Sequence, residues 1–470
     1  MFDVSRDDIT SGSIPQVLVL LAAPLIVQNL VQFAQLVVDA FWVGQIGENA
    51  VAAVGLVFPL TSVLSAFVLI PLVGTQVLVS QRVGADDESS ARRGAFNAVL
   101  LSLALLVPLS AIAIVTSGPL IQSVVEILQP DSPVAPLAIS YFVAYTFGVP
   151  AMAVSDATEG AFIGWGDSRV ALYVNVVSVA VNLTLDPLLI WGIGPFPEMG
   201  VQGAGLATAI GYTVGMLLVV GFALGPRDSF SFTRATAVFD FGDWRELVDI
   251  GLPSMGQRLA QDAVRLTLVS VVLAAGGAAG LAAYTLGARI SAIAWIPAGG
   301  LKQAAQSIVG QNLGAGKTGR ARETTWTSAG IIVAAMVVVG VIQFAIPTEI
   351  ATFFVPDITP DALELTVDYL QILAVGYWAI GATYAFRAGF DGARKTRTSM
   401  LTSMAQYWGV RLPVALVGVY VLDYGVVAVF WGVTLSNVLA AIGLAVYYRY
   451  LTAGGMLERA ADRASESASG

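Results

Sequence analysis

Long stretches of the chain are apolar without alternation: VLVLLAAPLIV near the start, AVLLSLALLVPLSAIAIV from residue 98, IIVAAMVVVGVIQFAI from residue 331. A half-buried strand alternates with period two, whereas a bilayer-crossing helix needs about 20 apolar residues in succession. Only helices and closed barrels satisfy their backbone in lipid, and the unbroken runs select helices. Polar, turn-rich breaks divide the chain into twelve predicted spans, at 14–43, 51–80, 95–116, 134–163, 169–192, 201–224, 247–275, 281–310, 324–346, 361–390, 397–422 and 426–450. The expected fold class is an all-α polytopic membrane protein. An N-terminal segment (1–13), a first lobe (14–225), a linker (226–246), a second lobe (247–452) and a tail (453–470) complete the expected organisation.

Cations test the count, because Lys and Arg concentrate in cytoplasmic loops. Arg6, then Arg82, Arg92 and Arg93, then Arg169, then Arg227, Arg234 and Arg245, then Lys317, Arg320 and Arg322, then Arg387, Arg394, Lys395 and Arg397, then Arg449, Arg459 and Arg463 all fall in alternate loops. The intervening loops hold none. Eighteen of the 23 cations thus lie on one side and five within spans. A miscounted helix would break this alternation, so twelve spans with both termini cytoplasmic follow.

The chain also repeats itself. QRVGADDESSARR and QNLGAGKTGRARE share Gln, Gly, Ala, Ala and Arg at an offset of 230. Pro24, Gln28, Leu30, Gln32 and Ala34 recur as Pro253, Gln257, Leu259, Gln261 and Ala263 at 229; Phe162, Gly164 and Arg169 recur as Phe390, Gly392 and Arg397 at 228. Three anchors at nearly one offset predict two six-helix halves. Six is even, so the halves are parallel repeats, an arrangement that in transporters encloses a substrate path.

Composition narrows the chemistry. The chain of 470 residues is 56% hydrophobic and 12% charged, against about 25% charged in soluble proteins. It has no Cys and no His, which excludes disulfides, thiol nucleophiles, Ser-His-Asp triads and Cys/His metal sites. A net charge of −9 argues against a nucleic-acid partner. The polar, acidic start MFDVSRDDITSGS is not a cleavable signal peptide. Gly316-Lys317-Thr318 resembles the end of a phosphate-binding loop, but that loop needs a Gly five positions before Gly316, where Gln311 stands. The preceding element is a membrane helix, and the repeat counterpart of Gly316-Lys317 is Asp86-Asp87. Loop chemistry accounts for the triplet, no nucleotide or other cofactor is expected, and an ion gradient is left as the driving force.

Ionisable groups inside the membrane cost about 2.5–3.5 kcal/mol each on insertion scales and ask for a reason. Gln28, Gln32, Gln35 and Asp39 share one face of the first span, and Asn175, Ser178, Asn182 and Asp186 one face of the fifth. Two polar stripes, each ending in a carboxylate, suggest a wet cavity whose acids take a proton or share Na⁺ with amide and hydroxyl oxygens. Asp39 read alone also suits an interfacial residue reaching water, and Asp186-Pro187 a helix cap and turn. In the second half Leu268 and Val414 occupy the corresponding places. There Arg258, Asp262 and Arg265 read as an internal salt-bridged cluster, with a coupling role for Asp262 as the alternative. Arg289 and Arg411 are expected deep in spans eight and eleven. Asp156 and Glu159 suit either a gate or the interface. Pro24 removes a helix hydrogen bond in a long first span, so it serves as a bend point or a static kink.

APLIVQNLVQFAQLVVDAFWVG, FIGWGDSR, NLTLDPLLIWGIG and the Q-x-x-G-A loops, with twelve spans in two parallel halves, resemble the multidrug and toxic compound extrusion (MATE) family over residues 14–450. The loop after span two does not fit the major facilitator pattern. The resemblance is to the archaeal and DinF-type branch. It implies a V-shaped pair of six-helix lobes and antiport of amphiphilic, often cationic compounds against H⁺ or Na⁺. It implies a cation site at Asp39, Asn182, Asp186 and Thr208, the last from the motif Gly203-Ala204-Gly205-Leu206-Ala207-Thr208, with Pro24 as hinge. Span ten, QILAVGYWAIGATYAF, lacks the acid of another branch, which puts a second-lobe Na⁺ site in doubt. The expected protein is a monomeric multidrug exporter of the cell membrane. The alternative is a lipid-linked oligosaccharide or polysaccharide flippase, kept open by Arg258, Arg265, Arg289 and Arg411. A membrane enzyme is disfavoured, since no nucleophile–base pair or metal motif is present.

Overall fold

The computed structural model describes residues 6–128, 132–225 and 229–469. Arg227, counted among the loop cations, and residues 1–5 of the expected N-terminal segment lie outside them. The described residues form helices and turns without a strand. In order they are α1 (Arg6–Ser11), α2 (Ile14–Ile46), α3 (Glu48–Gly84), α4 (Glu88–Leu128), α5 (Val134–Trp165), α6 (Ser168–Trp191), α7 (Val201–Leu224), α8 (Phe241–Gly314), α9 (Thr318–Ala345), α10 (Pro347–Phe354), α11 (Pro360–Val375), α12 (Tyr377–Gly392), α13 (Thr396–Met404), a π segment (Ala405–Arg411), α14 (Leu412–Tyr420), α15 (Val427–Ala453) and α16 (Met456–Ser469).

Nine of these helices are long and apolar enough to cross a membrane, ten when α11 and α12, bent by 48° at one break, count as one span. The remaining two of the twelve predicted spans have physical signatures. Gly277, at φ 57° and ψ −151°, breaks α8 into two arms, which match the predicted seventh and eighth spans. The eleventh is divided among α13, the π segment and α14, which follow one another without a gap. Helix surfaces carry large apolar side chains outward, among them Val115, Ile127, Phe147 and Val341. So much exposed hydrocarbon is expected where lipid is the solvent.

The repeat is written into the backbone. After α3, Ala85, Asp86 and Asp87 donate to the carbonyls of Gln81, Val83 and Arg82. After α8, Ala315, Gly316 and Lys317 donate to Gln311, Leu313 and Asn312 in the same pattern. Asp86 and Gly316 both turn left-handed, at φ 68° and 70°. The Gly316-Lys317-Thr318 triplet is therefore a helix-ending turn with its hydrogen bonds directed at its own helix.

Two compact units divide the chain. One takes Met1–Arg6 and Val27–Met255; the other takes Asp7–Ile26 and Gly256–Gly470. The division falls at equivalent places, after Ile26 and after Met255, two residues beyond Pro24 and Pro253. Each unit thus holds the opening turns of the other half's first span. In the first unit Val57, Leu64, Leu106, Phe142 and Val149 from α3, α4 and α5 form one core. In the second, Leu286, Ile290, Ala351 and Leu370 form another.

Glycines set the closest approaches. A methyl added at Gly164 would stand 2.7 Å from the carbonyl oxygen of Gln76. Its repeat mate Gly392 meets the Gln306 carbonyl at the same 2.7 Å. Neither backbone oxygen can move without displacing its helix. Gly164→Ala and Gly392→Ala are each expected to cost about 1–3 kcal/mol by overpacking. Thermal unfolding of the purified variants in detergent checks this; Gly330→Ala, where a methyl meets open space, serves as the unaffected control.

The linker before α8 is anchored by a buried ion cluster. Arg82 (2% exposed) reaches Asp243 (1% exposed) at 2.6 Å. Arg93 adds a second contact to Asp243 at 3.1 Å, and Asn97 a hydrogen bond at 3.2 Å. Asn97 also donates to Val238 O and accepts from the Asp240 N–H, and Trp244 donates its indole N–H to Asn97 O. In the second unit α1 is held in a comparable way. Asn312 donates to Ile9 O at 3.3 Å, Lys317 to Thr10 O at 3.0 Å and Arg320 to Gly12 O at 2.5 Å.

Candidate functional site: a carboxylate pair in the first unit

The first unit encloses a cavity of about 600 Å³ lined from α2, α3, α5, α6 and α7. Gln32, Gln35, Asp39, Asn175, Ser178 and Thr208, all singled out in the sequence, line it. The two polar stripes of α2 and α6 therefore open into one space. Glycines in α7 permit this: a methyl at Gly211 would stand 2.9 Å from Ser178 O, and one at Gly205 2.7 Å from Tyr141 O.

Asn182 is the centre of the site. It is 1% exposed, as is Asp186, and Thr208 is 8% exposed. One end of its amide lies 3.1 Å from Asp39 Oδ1, and the other 3.2 Å from the Thr208 backbone N–H. The amide nitrogen belongs at the Asp39 end, which lets the carbonyl oxygen accept from the Thr208 N–H. Gln35 Nε2 stands 2.8 Å from that same end. The far end also lies 3.4 Å from Thr208 Oγ1 and 3.5 Å from Asp186 Oδ1. Asp39 and Asp186 face one another within hydrogen-bonding reach. No protein donor reaches the buried Asp186 Oδ2. Two carboxyl oxygens hold such a position only with a proton or a cation shared between them. Na⁺ fits the donor set, which offers hard oxygens of carboxylate, amide and hydroxyl type.

The cap-and-turn reading of Asp186 gives way. Asp186-Pro187 neither caps nor turns: α6 runs unbroken through Pro187 and buries Asp186. Pro187 lacks the N–H that would close the helix bond to the Leu183 carbonyl. Asp39 is half-buried and lines the cavity wall.

The other candidates fall around this centre. Ser178 donates to Gly211 O at 2.7 Å, which ties α6 to α7. Asn175 Oδ1 is buried without a partner. Gln28 turns away from the carboxylate pair and donates to Glu159 at 3.1 Å. Pro24 is buried inside α2, which continues through it as helix.

Sequence reading missed one wall. Tyr141, Tyr145, Met152, Ser155, Asp156 and Glu159 of α5 all line the cavity. Their spacing of 4, 7, 3, 1 and 3 follows one helical face, a signal present in the sequence but masked by Asp156 and Glu159 lying near the inner end of the span. Tyr141 stacks on Tyr145, and Tyr145 meets Tyr212 edge-on. Aromatic faces beside carboxylates suit an amphiphilic cation.

In the second unit Asp262 pairs with Arg258 at 2.8 Å and with Arg265 at 3.5 Å. Arg411 is 6% exposed and bonds Ser436 and Asn437. Arg289, unlike Arg411, has an exposed side chain. The reason is rotational. Leu286 and Ile290 turn one face of α8 into the core, and Arg289, about 100° from Ile290, falls on another.

The MatE family profile matches residues 24–188 and again 253–417, both ends displaced by 229 residues. The chain belongs to the MatE family. It is a multi-pass membrane transporter, and the doubled match coincides with the repeat offset read from the sequence. A FAD transporter from Shewanella oneidensis is 26% identical over 94% of this chain and 96% of its own length. A probable multidrug resistance protein NorM from Thermotoga maritima is 22% identical over 92% of each. Among solved structures, MATE in complex with MaL6 superimposes with a TM-score of 0.89 at 23% identity, covering 96% of this chain and 99% of that one. This likeness extends the MatE assignment to the fold of both halves.

Proposed function

We propose that this MatE transporter exports amphiphilic, often cationic compounds in exchange for H⁺ or Na⁺ taken up at Asp39 and Asp186. The observation that carries this reading is the pair of facing carboxyl groups beside a 600 Å³ cavity, with Asp39 on its wall and Asp186 buried. A cationic substrate and a coupling cation would compete there for the same negative charge, and such mutual exclusion is what exchange requires. Asn182 and Thr208 orient the acids, and the tyrosines of α5 and α7 offer apolar faces to the substrate. In this scheme the arriving cation occupies the pair, α2 bends near Pro24, and substrate leaves on the outer side. The protein acts as a monomer in the cell membrane with both termini in the cytoplasm. The name multidrug resistance protein, carried by several relatives, supports this substrate class.

Reconstituted vesicles test it. Dye efflux should accelerate under an inward gradient of one coupling cation, with Na⁺ and pH gradients imposed separately. Efflux indifferent to both gradients would reject cation exchange. A second reading, movement of anionic or lipid-linked phosphorylated substrates, draws support from the buried Arg411 and from the relative named FAD transporter. Under that reading Arg411→Ala would abolish transport; under the first it spares dye efflux.

A further inference from the structure

The second unit holds a cavity of opposite character. It measures about 130 Å³, roughly four waters' share of liquid volume. Arg265, Lys302, Arg387 and Arg411 line it, and among the described residues lining it none is acidic. Two carboxylates stand nearby: Asp391, which pairs with Lys302 at 3.0 Å and lies one helical turn from Arg387, and Asp262, which pairs with Arg258 and Arg265. Arg387 and Arg411 are each 6% exposed, and their hydrogen bonds go to neutral groups. Arg387 donates to Gln406 at 2.8 Å, and Arg411 to Ser436 and Asn437, each at 2.9 Å. Arg411 also lies over the Tyr407 ring, 4.0 Å from its centre. Four cations around one space with only Asp391 and Asp262 nearby among the described residues leave surplus buried positive charge, which is costly and favours an anionic partner.

The unpartnered donors point the same way. Trp295 Nε1, Thr383 Oγ1 and Arg387 Nε are buried without hydrogen-bond partners, and all three residues line this cavity. Buried donors are almost always satisfied, and three orphans around one space mark a missing acceptor. The local backbone is unusual too. Gln406, Tyr407 and Arg411 come from the π segment, a helical irregularity concentrated at functional sites.

We propose that this cavity is an anion site that takes one phosphate-type oxyanion, held by Arg387 and Arg411 and capped by the Trp295 and Thr383 donors. Its volume suits a single tetrahedral group rather than a whole drug. The group belongs either to a lipid headgroup or to a water-soluble phosphate. The inference does not depend on cation exchange at Asp39, which lies in the other unit.

Equilibrium binding of radiolabelled inorganic phosphate to the full chain in lipid-free detergent, at constant ionic strength, provides the test. The wild type should bind saturably at one site. The double variant Trp295→Phe with Thr383→Val keeps shape and charge but removes two donors, and should bind about tenfold more weakly. Arg411→Gln should lose binding, and Asp39→Asn should retain it unchanged. Displacement by phosphatidic acid but not by phosphatidylcholine assigns the group to a lipid headgroup; failure of both to displace assigns it to a soluble phosphate. The proposal is overturned if neither phosphate nor phosphatidic acid binds saturably, or if the folded double variant matches the wild type.

Discussion

Asp39→Asn should reduce cation-driven efflux to the leak of protein-free vesicles while leaving the protein folded. The substitution is nearly isosteric, and Asn can still hydrogen-bond Asp186 and Gln35. What it removes is the charge that makes the pair exchange a cation. Asp186→Asn should do the same, because two facing groups with one acid between them no longer need a shared cation. The two single variants and the double variant should be equally inactive, since residues that act as a unit are not additive. Retained efflux in Asp39→Asn would place coupling elsewhere. Measured alongside, unfolding temperatures within the error of the wild type keep loss of activity distinct from loss of fold.

Asp243→Ala should be among the most destabilising substitutions in the chain, at about 3–5 kcal/mol. Removing Asp243 leaves Arg82, 2% exposed, with Glu246 at 3.6 Å as its remaining acidic contact. It also removes one contact each from Asn97 and Arg93, which help hold the linker. The Arg92–Glu88 pair is a matched contrast. It is similarly short at 2.9 Å but lies at the surface, with Glu88 58% exposed. Glu88→Ala should cost no more than about 0.5 kcal/mol. Denaturation in detergent separates the two outcomes. Comparable small losses for both would mean that the Asp243 cluster is wetter than its burial indicates.

The span pattern and the repeat could be read from the chain because lipid imposes both. Apolar runs follow from bilayer thickness, and cation placement follows from the inside rule. The repeat offset of 228 to 229 needed only Pro24 and Pro253, Gly164 and Gly392 to stand out. The predicted spans end short of the helices, since α3, α4 and α8 carry on into the charged flanks where hydropathy fails. Gly277 falls in the predicted break between the seventh and eighth spans, whereas the π segment at Ala405–Arg411 left no periodic signal.

Site chemistry was only partly readable. Asp39 and Asp186 stood out as intramembrane charges, but the role of Asn182 as the bridge among Gln35, Asp39, Thr208 and Asp186 needs three helices in place. The α5 wall was hidden because Asp156 and Glu159 lie near a span end, where acids are common. The cationic cavity was hidden for the opposite reason. Arg387 counted as a loop cation and Arg411 as a lone intramembrane one, and only the fold brings them to one space with Trp295 and Thr383.

The central claim is that substrate and coupling cation compete for the Asp39–Asp186 pair. The most direct measurement is cation release on substrate addition to purified protein, read as protons with a pH indicator and as labelled Na⁺ in parallel. The account predicts that dye binding releases one of these cations from the wild type and none from Asp39→Asn with Asp186→Asn. Equal release from the wild type and the double variant would contradict it.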